Sequence, residues 1–340
     1  MASLAFPEWK RIVVGKDGTL HGALAAMVFM SLTALASGCA DEQGQSSAVC
    51  TAFDTQECVG PAACRGGQMC KPDGSGWTPC DCGIPPTGVP NTCSPDLKAS
   101  TNTCVDSAAI RSGTGLYWIN NNVWGRPMSD TTDQQCSWLD CLSGENLAWG
   151  SSWNWKVGTS SVKAYPSVIL GWQWGLKITN TGLPMQLAAN RAILSGWDFS
   201  VTQSDPGLFT LDVAYDLWIH TIPNPDSSAM GVNQPSDEVM IWLYRTGSAS
   251  PAGSPVTGAI PLAGTTWELW EGPVQSWSIH TFLRTANTNS SVLDINDFLQ
   301  YLVANRGLDS SKYLTSIQSG TEVWFGSGEL DTSSYYCTVQ

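Results

Sequence analysis

Short segments with alternating hydrophobic and polar residues recur across residues 96–340, separated by turns rich in Gly, Asn, Ser and Pro. This alternation is typical of β-strands that bury one face. The strand-like segments are residues 117–124, 163–169, 208–219, 238–244, 267–270, 276–283 and 321–325. Strands and helices do not alternate along the chain. The pattern therefore predicts an all-β protein built as a sandwich or barrel.

One segment near the C-terminus has a helical period instead. Asp294 is suited to cap its first turn, and Gly307 is suited to end it. We expect its apolar stripe to pack on the outer face of one sheet. The stripe consists of Ile295, Phe298, Leu299, Leu302 and Val303.

The strand predicted at residues 238–244 has two contrasting faces. One is an ordinary apolar face, formed by Val239, Ile241 and Leu243. The other places a carboxylate and a thioether in a row with two aromatic rings: Glu238, Met240, Trp242 and Tyr244. A groove for a flat ligand with polar edges and apolar faces, such as a sugar ring, explains this second face.

Composition narrows the class of ligand. The 340-residue chain has a formal net charge of -13, 17 tryptophans and only 13% charged residues. Nucleic acid is a poor candidate partner, because phosphate binding needs a basic surface. The three histidines, His21, His220 and His280, do not favour a serine-histidine triad or a histidine-rich metal site. We expect the last two to be ordinary hydrogen-bonded strand residues.

Residues 1–38 are predicted to be an export signal. Basic residues precede an apolar run at 23–36 that is too short for a confident membrane span. The run ends in the segment 35–39, which resembles a bacterial lipoprotein signal with lipidation at Cys39. The alternative is simple cleavage after Ala36, which gives a soluble secreted protein. Both alternatives export the chain, and the first attaches it to a membrane only through the lipid.

Residues 39–95 form a predicted linker or small disulfide knot ahead of a domain at 96–340. They are rich in Cys, Gly and Pro, and hold seven of the twelve cysteines: Cys50, Cys58, Cys64, Cys70, Cys80, Cys82 and Cys93. Export permits disulfides, and the spacing lacks the paired Cys-x-x-Cys of a zinc site. A compact carbohydrate-binding module is the alternative. With Cys39 set aside, an odd number remains, so one thiol lacks an intramolecular partner.

Three carboxylates share a strand face with an aromatic ring. Glu238 lies with Trp242, Glu322 with Trp324, and Asp216 with Trp218. Cleavage of a glycosidic bond needs two carboxyl groups, one ionised and one protonated, and a third can tune their pKa values. Asp212 has the same parity as Asp216 on its strand. A simple solvent-facing position is the competing explanation for each of these residues.

Several segments in this order resemble glycoside hydrolase family 12, the small endoglucanases and xyloglucanases. The resemblance lies in their combination and runs from about residue 104 to the C-terminus. The segments are 121–125, 162–168, 214–218, 238–242, 253–256, 267–270 and 320–324.

The resemblance implies a β-jelly roll of two curved antiparallel sheets, with a concave substrate groove and one packed helix. It also implies Glu238 as nucleophile, Glu322 as general acid/base and Asp216, rather than Asp212, as the acidic residue beside the nucleophile. The other implied features are sugar-binding residues Asn122 and Trp124, Met240 beside the nucleophile, and a Cys104–Cys136 disulfide. Trp242 and Trp324 are further substrate-binding candidates.

Two features depart from the family pattern. Residues 171–175 replace a small disulfide loop of many bacterial members, which bears on substrate preference. Cys141 and Cys337 have no counterpart, and pair either with each other or with a linker cysteine.

The prediction is an exported, monomeric, retaining endo-β-1,4-glucanase that acts on a β-glucan polysaccharide and needs no metal or organic cofactor. A xyloglucan-specific endoglucanase and a non-catalytic surface glycan-binding jelly roll are the alternatives.

Overall fold

The computed structural model describes residues 95–340 apart from 113–115, 128–129, 131, 159–160, 174–175 and 226–233. It also describes residues 49–50, 55–59, 65–69, 71 and 75–77. The predicted signal segment, Cys39 and most of the predicted cysteine knot lie outside the described residues. The boundary at residue 96 and the pairing within the knot stay predictions.

In chain order, the elements are β1 (Thr55–Val59), β2 (Arg65–Met69), α1 (Pro95–Thr101), β3 (Ala109–Arg111), β4 (Tyr117–Asn120), β5 (Gln134–Ser143), β6 (Asn146–Trp155), β7 (Ser167–Gln173), β8 (Leu176–Lys177), β9 (Met185–Gln186), a 3-10 turn (Leu187–Ala189), β10 (Ile193–Gln203), β11 (Thr210–His220), β12 (Asp237–Thr246), β13 (Ser254–Leu262), β14 (Thr265–Val274), β15 (Trp277–Arg284), β16 (Ser290–Asp294), α2 (Ile295–Arg306), β17 (Tyr313–Gly320) and β18 (Val323–Val339).

Two layers of strands make up the fold, and β1 and β2 form a separate two-stranded sheet. The front sheet has the strand order β13-β14-β15-β12-β11-β17-β7-β4-β3, with β8 and β9 added to β7 and β17. The back sheet has the order β5-β6-β18-β10-β16. Neighbouring strands are antiparallel except β12 and β15, which run parallel. This is the predicted all-β jelly-roll architecture, with the parallel pair as an addition.

The main hydrophobic core lies between the two sheets. Trp197 of β10 packs edge-on against Tyr215 of β11, with ring centroids 5.3 Å apart, and both rings are buried. The predicted apolar face of β12, Val239, Ile241 and Leu243, belongs to the same core. The opposite face of β12 is therefore left to form the outward surface of the front sheet.

Helix α2 has the predicted caps. Asp294 accepts a hydrogen bond from the Asn296 backbone N–H, and Gly307 ends the helix with φ 76°. Phe298 lies 5.0 Å, centroid to centroid, from both Trp267 of β14 and Phe282 of β15, and all three rings belong to the main core. The stripe therefore packs on the core face of the front sheet, not on an outer face. Among the described residues, no helix is both long and apolar enough to span a membrane.

Strand β18 differs most from the sequence prediction. The alternation predicts a strand at 321–325, whereas β18 continues to Val339. Its first residues, Val323 and Phe325, pair with β11 of the front sheet, and the strand then pairs with β6 and β10 of the back sheet. Because it changes partners along its length, its two faces do not keep a single environment, and the period-2 signal is lost.

Candidate active site

Strand β12 carries the residues from which the site is built. Met240 and Trp242 lie together in an apolar cluster on the outward face of the front sheet, separate from the main core. Tyr244, predicted on this same face, packs instead against the main core. Ala214 pairs with Trp242 and Val213 with Tyr244, which leaves Leu243 as a bulge residue that reverses the alternation. The prediction for Tyr244 was wrong for that reason.

Glu238 lies at the start of this outward face and is only 9% exposed. Its Oε2 accepts a hydrogen bond of 2.7 Å from the indole N–H of Trp277, the first residue of β15. Burial raises the pKa of Glu238 to about 8, the charge of Glu322 adds to this rise, and the Trp277 hydrogen bond opposes it. The side chain is therefore a carboxyl group with a strongly perturbed proton affinity.

Glu322 immediately precedes β18 and is half-buried. Burial raises its pKa to about 7, while a hydrogen bond with Asp212 opposes the rise. Since the charge of Glu322 acts on Glu238, the fold brings the two predicted catalytic carboxyls into one electrostatic environment.

Asp216 joins the same environment from β11. It is 5% exposed and pairs in register with Met240. Burial raises its pKa well above the ordinary value, and the charges of Glu238 and then Glu322 raise it further. Three predicted carboxylates from two neighbouring strands and the start of β18 thus act on one another.

Asp212 is the fourth carboxylate of the cluster, although the family motif favours Asp216 over it. It is fully buried, and its Oδ1 accepts a hydrogen bond of 3.2 Å from the backbone N–H of Glu322. The sequence indicated Asp212 only by its position on the same strand face as Asp216. The pairing of β11 with the chain at Glu322, which makes the contact, is not visible in the local sequence.

Asn122 and Trp124 lie in the loop after β4. Trp124 is 59% exposed, and its backbone N–H donates to Asn122 Oδ1 at 3.1 Å. The Asn122 carbonyl accepts from the Tyr165 N–H, and the neighbouring Ala164 bridges to Val323, next to Glu322. The loop is thereby connected through residues 164–165 to the chain that carries Glu322.

The other predicted sugar-binding side chains differ in exposure. Met240 and Trp242 are 3% and 1% exposed, so almost none of their surface is available to a sugar ring. The Trp242 indole N–H lies 3.5 Å from the Met240 sulfur. Trp324 is half-buried and packs edge-on against Trp242, with 6.2 Å between ring centroids. Met240 and Trp242 therefore form a floor beneath Trp324.

The segment that departs from the family pattern lies partly outside the described residues. Trp172 is buried and packs edge-on against His220, 4.8 Å between ring centroids. Gln173 Oε1 accepts a hydrogen bond from the side-chain amide of Gln318 on β17. His220 Nδ1 also contacts the Thr315 hydroxyl at 2.8 Å, as expected of a hydrogen-bonded strand histidine.

The cysteines of the described domain behave in three ways. The predicted Cys104–Cys136 disulfide is present, and joins the chain ahead of β3 to β5 of the back sheet. Cys337 is a buried free thiol, whereas Cys141 is disulfide-bonded. Pairing of Cys337, either with Cys141 or with a linker cysteine, is therefore wrong. Pairing of Cys141 with a linker cysteine stays a prediction.

Comparison with known proteins identifies the family. Residues 115–340 match the model of Glycosyl hydrolase family 12. The chain belongs to this family.

Relatives and solved structures of the family cover about two thirds of the chain or slightly more. Endoglucanase S of Pectobacterium parmentieri is 35% identical over 245 residues, which are 69% of this chain and 86% of that protein. Xyloglucan-specific endo-beta-1,4-glucanase A of Emericella nidulans is 35% identical over 230 residues, 66% of this chain and 86% of that protein. The structure of a family 12 xyloglucanase from Bacillus licheniformis aligns with a TM-score of 0.62 at 32% identity, covering 70% of this chain and all of that one.

Proposed function

We propose that the chain is an endo-β-1,4-glucanase that cleaves internal bonds of a β-glucan with retention of anomeric configuration. The observation that carries the proposal is the electrostatic coupling of Glu238 and Glu322 on the front sheet. Both pKa values are raised by burial, and the charge of one raises the pKa of the other. Two carboxyls that repel each other when both are charged titrate as a pair, and hold one proton between them near neutral pH.

In the first step Glu238 attacks the anomeric carbon. The Trp277 indole N–H can donate a hydrogen bond but cannot accept one, so it lowers the pKa of Glu238 and partly offsets the effect of burial. Glu322 gives its proton to the leaving glycosidic oxygen, and the sugar becomes covalently bound to the Glu238 oxygen.

In the second step Glu322, now ionised, takes a proton from a water molecule. That water attacks the anomeric carbon from the face opposite Glu238 and releases it. Two inversions give net retention, which requires the two carboxyl groups to be about 5–5.5 Å apart. Asp216, whose pKa is raised by burial and by the charges of Glu238 and Glu322, is a third carboxyl that can hold a proton beside the nucleophile.

Substrate binding rests on exposed aromatic surface. Trp124 offers a largely exposed ring on which a sugar can stack, and Trp324 offers a partly exposed one. Asn122 orients the Trp124 loop through its side-chain hydrogen bond. Met240 and Trp242 act from beneath, as packing that holds Trp324 and the β12 backbone in place.

The test compares Glu238→Gln and Glu322→Gln with Glu329→Gln in a reducing-sugar assay on soluble carboxymethylcellulose. Glu329 is a matched control, since it is a half-buried glutamate of β18 whose pKa is also raised by burial. Both site variants are expected to lose nearly all activity while folding normally, and the control is expected to keep it. Activity retained in either site variant removes that residue from the mechanism. A wild-type protein that binds glucan without cleaving it identifies a glycan-binding protein instead.

The choice of β-glucan is the finer part of the proposal. The family relatives include both an endoglucanase and xyloglucan-specific enzymes. Running the same assay with xyloglucan separates these alternatives, because a xyloglucan-specific enzyme is expected to leave carboxymethylcellulose nearly uncleaved.

Export and lipid attachment complete the proposal. Residues 1–38 act as the signal, Cys39 receives the lipid, and residues 39–95 space a monomeric catalytic domain from the membrane. Cys39→Ser is expected to release active protein from the membrane fraction into the soluble fraction. Wild-type protein found in the soluble fraction, as the variant is, would favour simple cleavage after Ala36, which gives a soluble secreted protein.

A further inference from the structure

Asp212 makes three hydrogen bonds to the two residues at the candidate acid/base position. Its backbone N–H donates to the Glu322 carbonyl at 3.1 Å, and its Oδ1 accepts from the Glu322 N–H at 3.2 Å. Its own carbonyl accepts from the Thr321 hydroxyl. The Asp212 side chain is fully buried, so these bonds fix the backbone from which the Glu322 side chain extends.

The surroundings of Asp212 favour a neutral carboxyl group. The charged or titratable groups around it are Glu322, Asp216 on its own strand and Tyr165 from the segment before β7. Its register partner on β12 is Arg245, whose Nη1 donates to the Ala249 carbonyl. Asp212 has no salt bridge among the described residues, and no N–H or O–H group there donates to its buried Oδ2. A buried carboxylate without a cation is costly, so the group keeps its proton.

A protonated carboxyl beside Glu322 can act on it as a hydrogen-bond donor. Burial and the charge of Glu322 raise the pKa of Asp212 well above its ordinary value. The hydrogen bond between the two side chains lowers the pKa of Glu322. Two carboxyls hydrogen-bond to each other only when one of them holds a proton, and these directions place that proton on Asp212.

We propose that Asp212 is a positioning residue that fixes the Glu322 backbone and donates a hydrogen bond to the Glu322 carboxylate once Glu322 has lost its proton. The inference rests on the proposed acid/base role of Glu322. No bond to Asp212 is made or broken in the reaction. The O–H group of the protonated Asp212 carboxyl stabilises the negative charge that Glu322 acquires in the first step. Glu322 needs this charge to act as a base in the second step.

The test measures kcat against pH for wild type, Asp212→Asn and Asp212→Leu on carboxymethylcellulose. Asparagine keeps both the acceptor for the Glu322 N–H and a donor for its carboxylate, so its profile is expected to match wild type within about threefold. Leucine removes the donor, so Glu322 binds its proton more tightly. The whole profile is then expected to move to higher pH, with roughly tenfold less activity at about pH 5.

Controls separate this inference from the proposed function. Asp297→Asn, which changes a half-buried aspartate of α2 whose pKa is raised by burial to about 6, is expected to leave the profile unchanged. Glu322→Gln is assayed in parallel; if it stays active, the proposed function itself fails. If Glu322→Gln is inactive, a wild-type profile in Asp212→Leu overturns only the inference. So does a shift in Asp212→Asn as large as that in Asp212→Leu. Asp212→Ala carries the same expectation should the leucine variant not fold.

Discussion

Asp237 and Glu238 are consecutive residues of β12, about equally buried, with opposite electrostatic environments. Asp237 Oδ2 lies 2.6 Å from the Lys312 ammonium, and its pKa is lowered. Glu238 accepts a hydrogen bond from the neutral Trp277 indole, and its pKa is raised to about 8. Burial alone raises the pKa of both carboxyls, so the hydrogen bonds from His280, Lys312 and Ser236 decide the sign for Asp237.

The network around Asp237 stabilises the fold behind the site. His280 Nε2 lies 3.7 Å from Asp237, and His280 Nδ1 lies 2.8 Å from Glu271. Arg306 of α2 contacts the same Glu271 at 2.5 Å. Cations thus link α2, β14, β15 and β12 to one another. On the outward face of the front sheet, the carboxyl groups of the candidate site repel each other. Their raised pKa values suit catalysis but lower the stability of the fold.

Breaking the ion-pair network around Asp237 has the largest expected effect on stability. Asp237→Asn removes the carboxylate that contacts the partly buried Lys312 and one of the two that contact the buried His280. It is expected to cost about 3 kcal/mol of unfolding free energy. Urea denaturation at about pH 7 measures this. A loss below about 0.5 kcal/mol would show that the network contributes little.

Removing the neighbouring carboxyl group of Glu238, whose pKa is raised, is expected to increase the unfolding free energy. The folded pKa of Glu238 is about 8, above the unfolded value of about 4.3, so wild type loses stability as pH rises through this window. Glu238→Gln removes the titration. Its unfolding free energy should equal that of wild type near pH 4 and exceed it by roughly 2 kcal/mol at about pH 6. A constant difference across the range would contradict the assigned environment.

Removing Arg306, the partly exposed end of the network around Asp237, has the smallest expected effect on stability. Arg306→Gln removes a cationic partner of Glu271, but the Arg306 side chain is 35% exposed, so the expected loss is about 1 kcal/mol or less. The pKa of Glu271 is lowered, so this contribution is present at neutral pH and fades as pH falls through its folded pKa. Urea denaturation across this pH range measures it. Arg245→Gln, where the guanidinium bonds a backbone carbonyl, is the matched control and should lack that pH dependence.

Local patterns in the sequence predicted the elements whose surroundings are uniform along their length. The two faces of β12 up to Leu243 and the caps of α2 at Asp294 and Gly307 were correct for that reason. The bulge that turns Tyr244 into the core depends on pairing with β11, which a single strand does not encode.

In the candidate site, too, local sequence predicted some features, whereas others depend on the whole fold. Family resemblance indicated Glu238, Glu322 and Asp216, because their motifs are local. The Asp212 contact joins residues 110 positions apart, and the Asp237 bridge to Lys312 joins residues 75 apart. Both depend on strand order and register, which follow from the whole fold.

The most direct test of the mechanism is to trap the covalent intermediate. Treatment with a 2-deoxy-2-fluoro cello-oligosaccharyl fluoride slows both steps and lets the glycosyl-enzyme accumulate. Mass spectrometry of the protein and its peptides should then find one added 2-deoxy-2-fluoro cello-oligosaccharyl group, bound to Glu238. A label on another residue, or no label while the protein still cleaves β-glucan, would contradict the account.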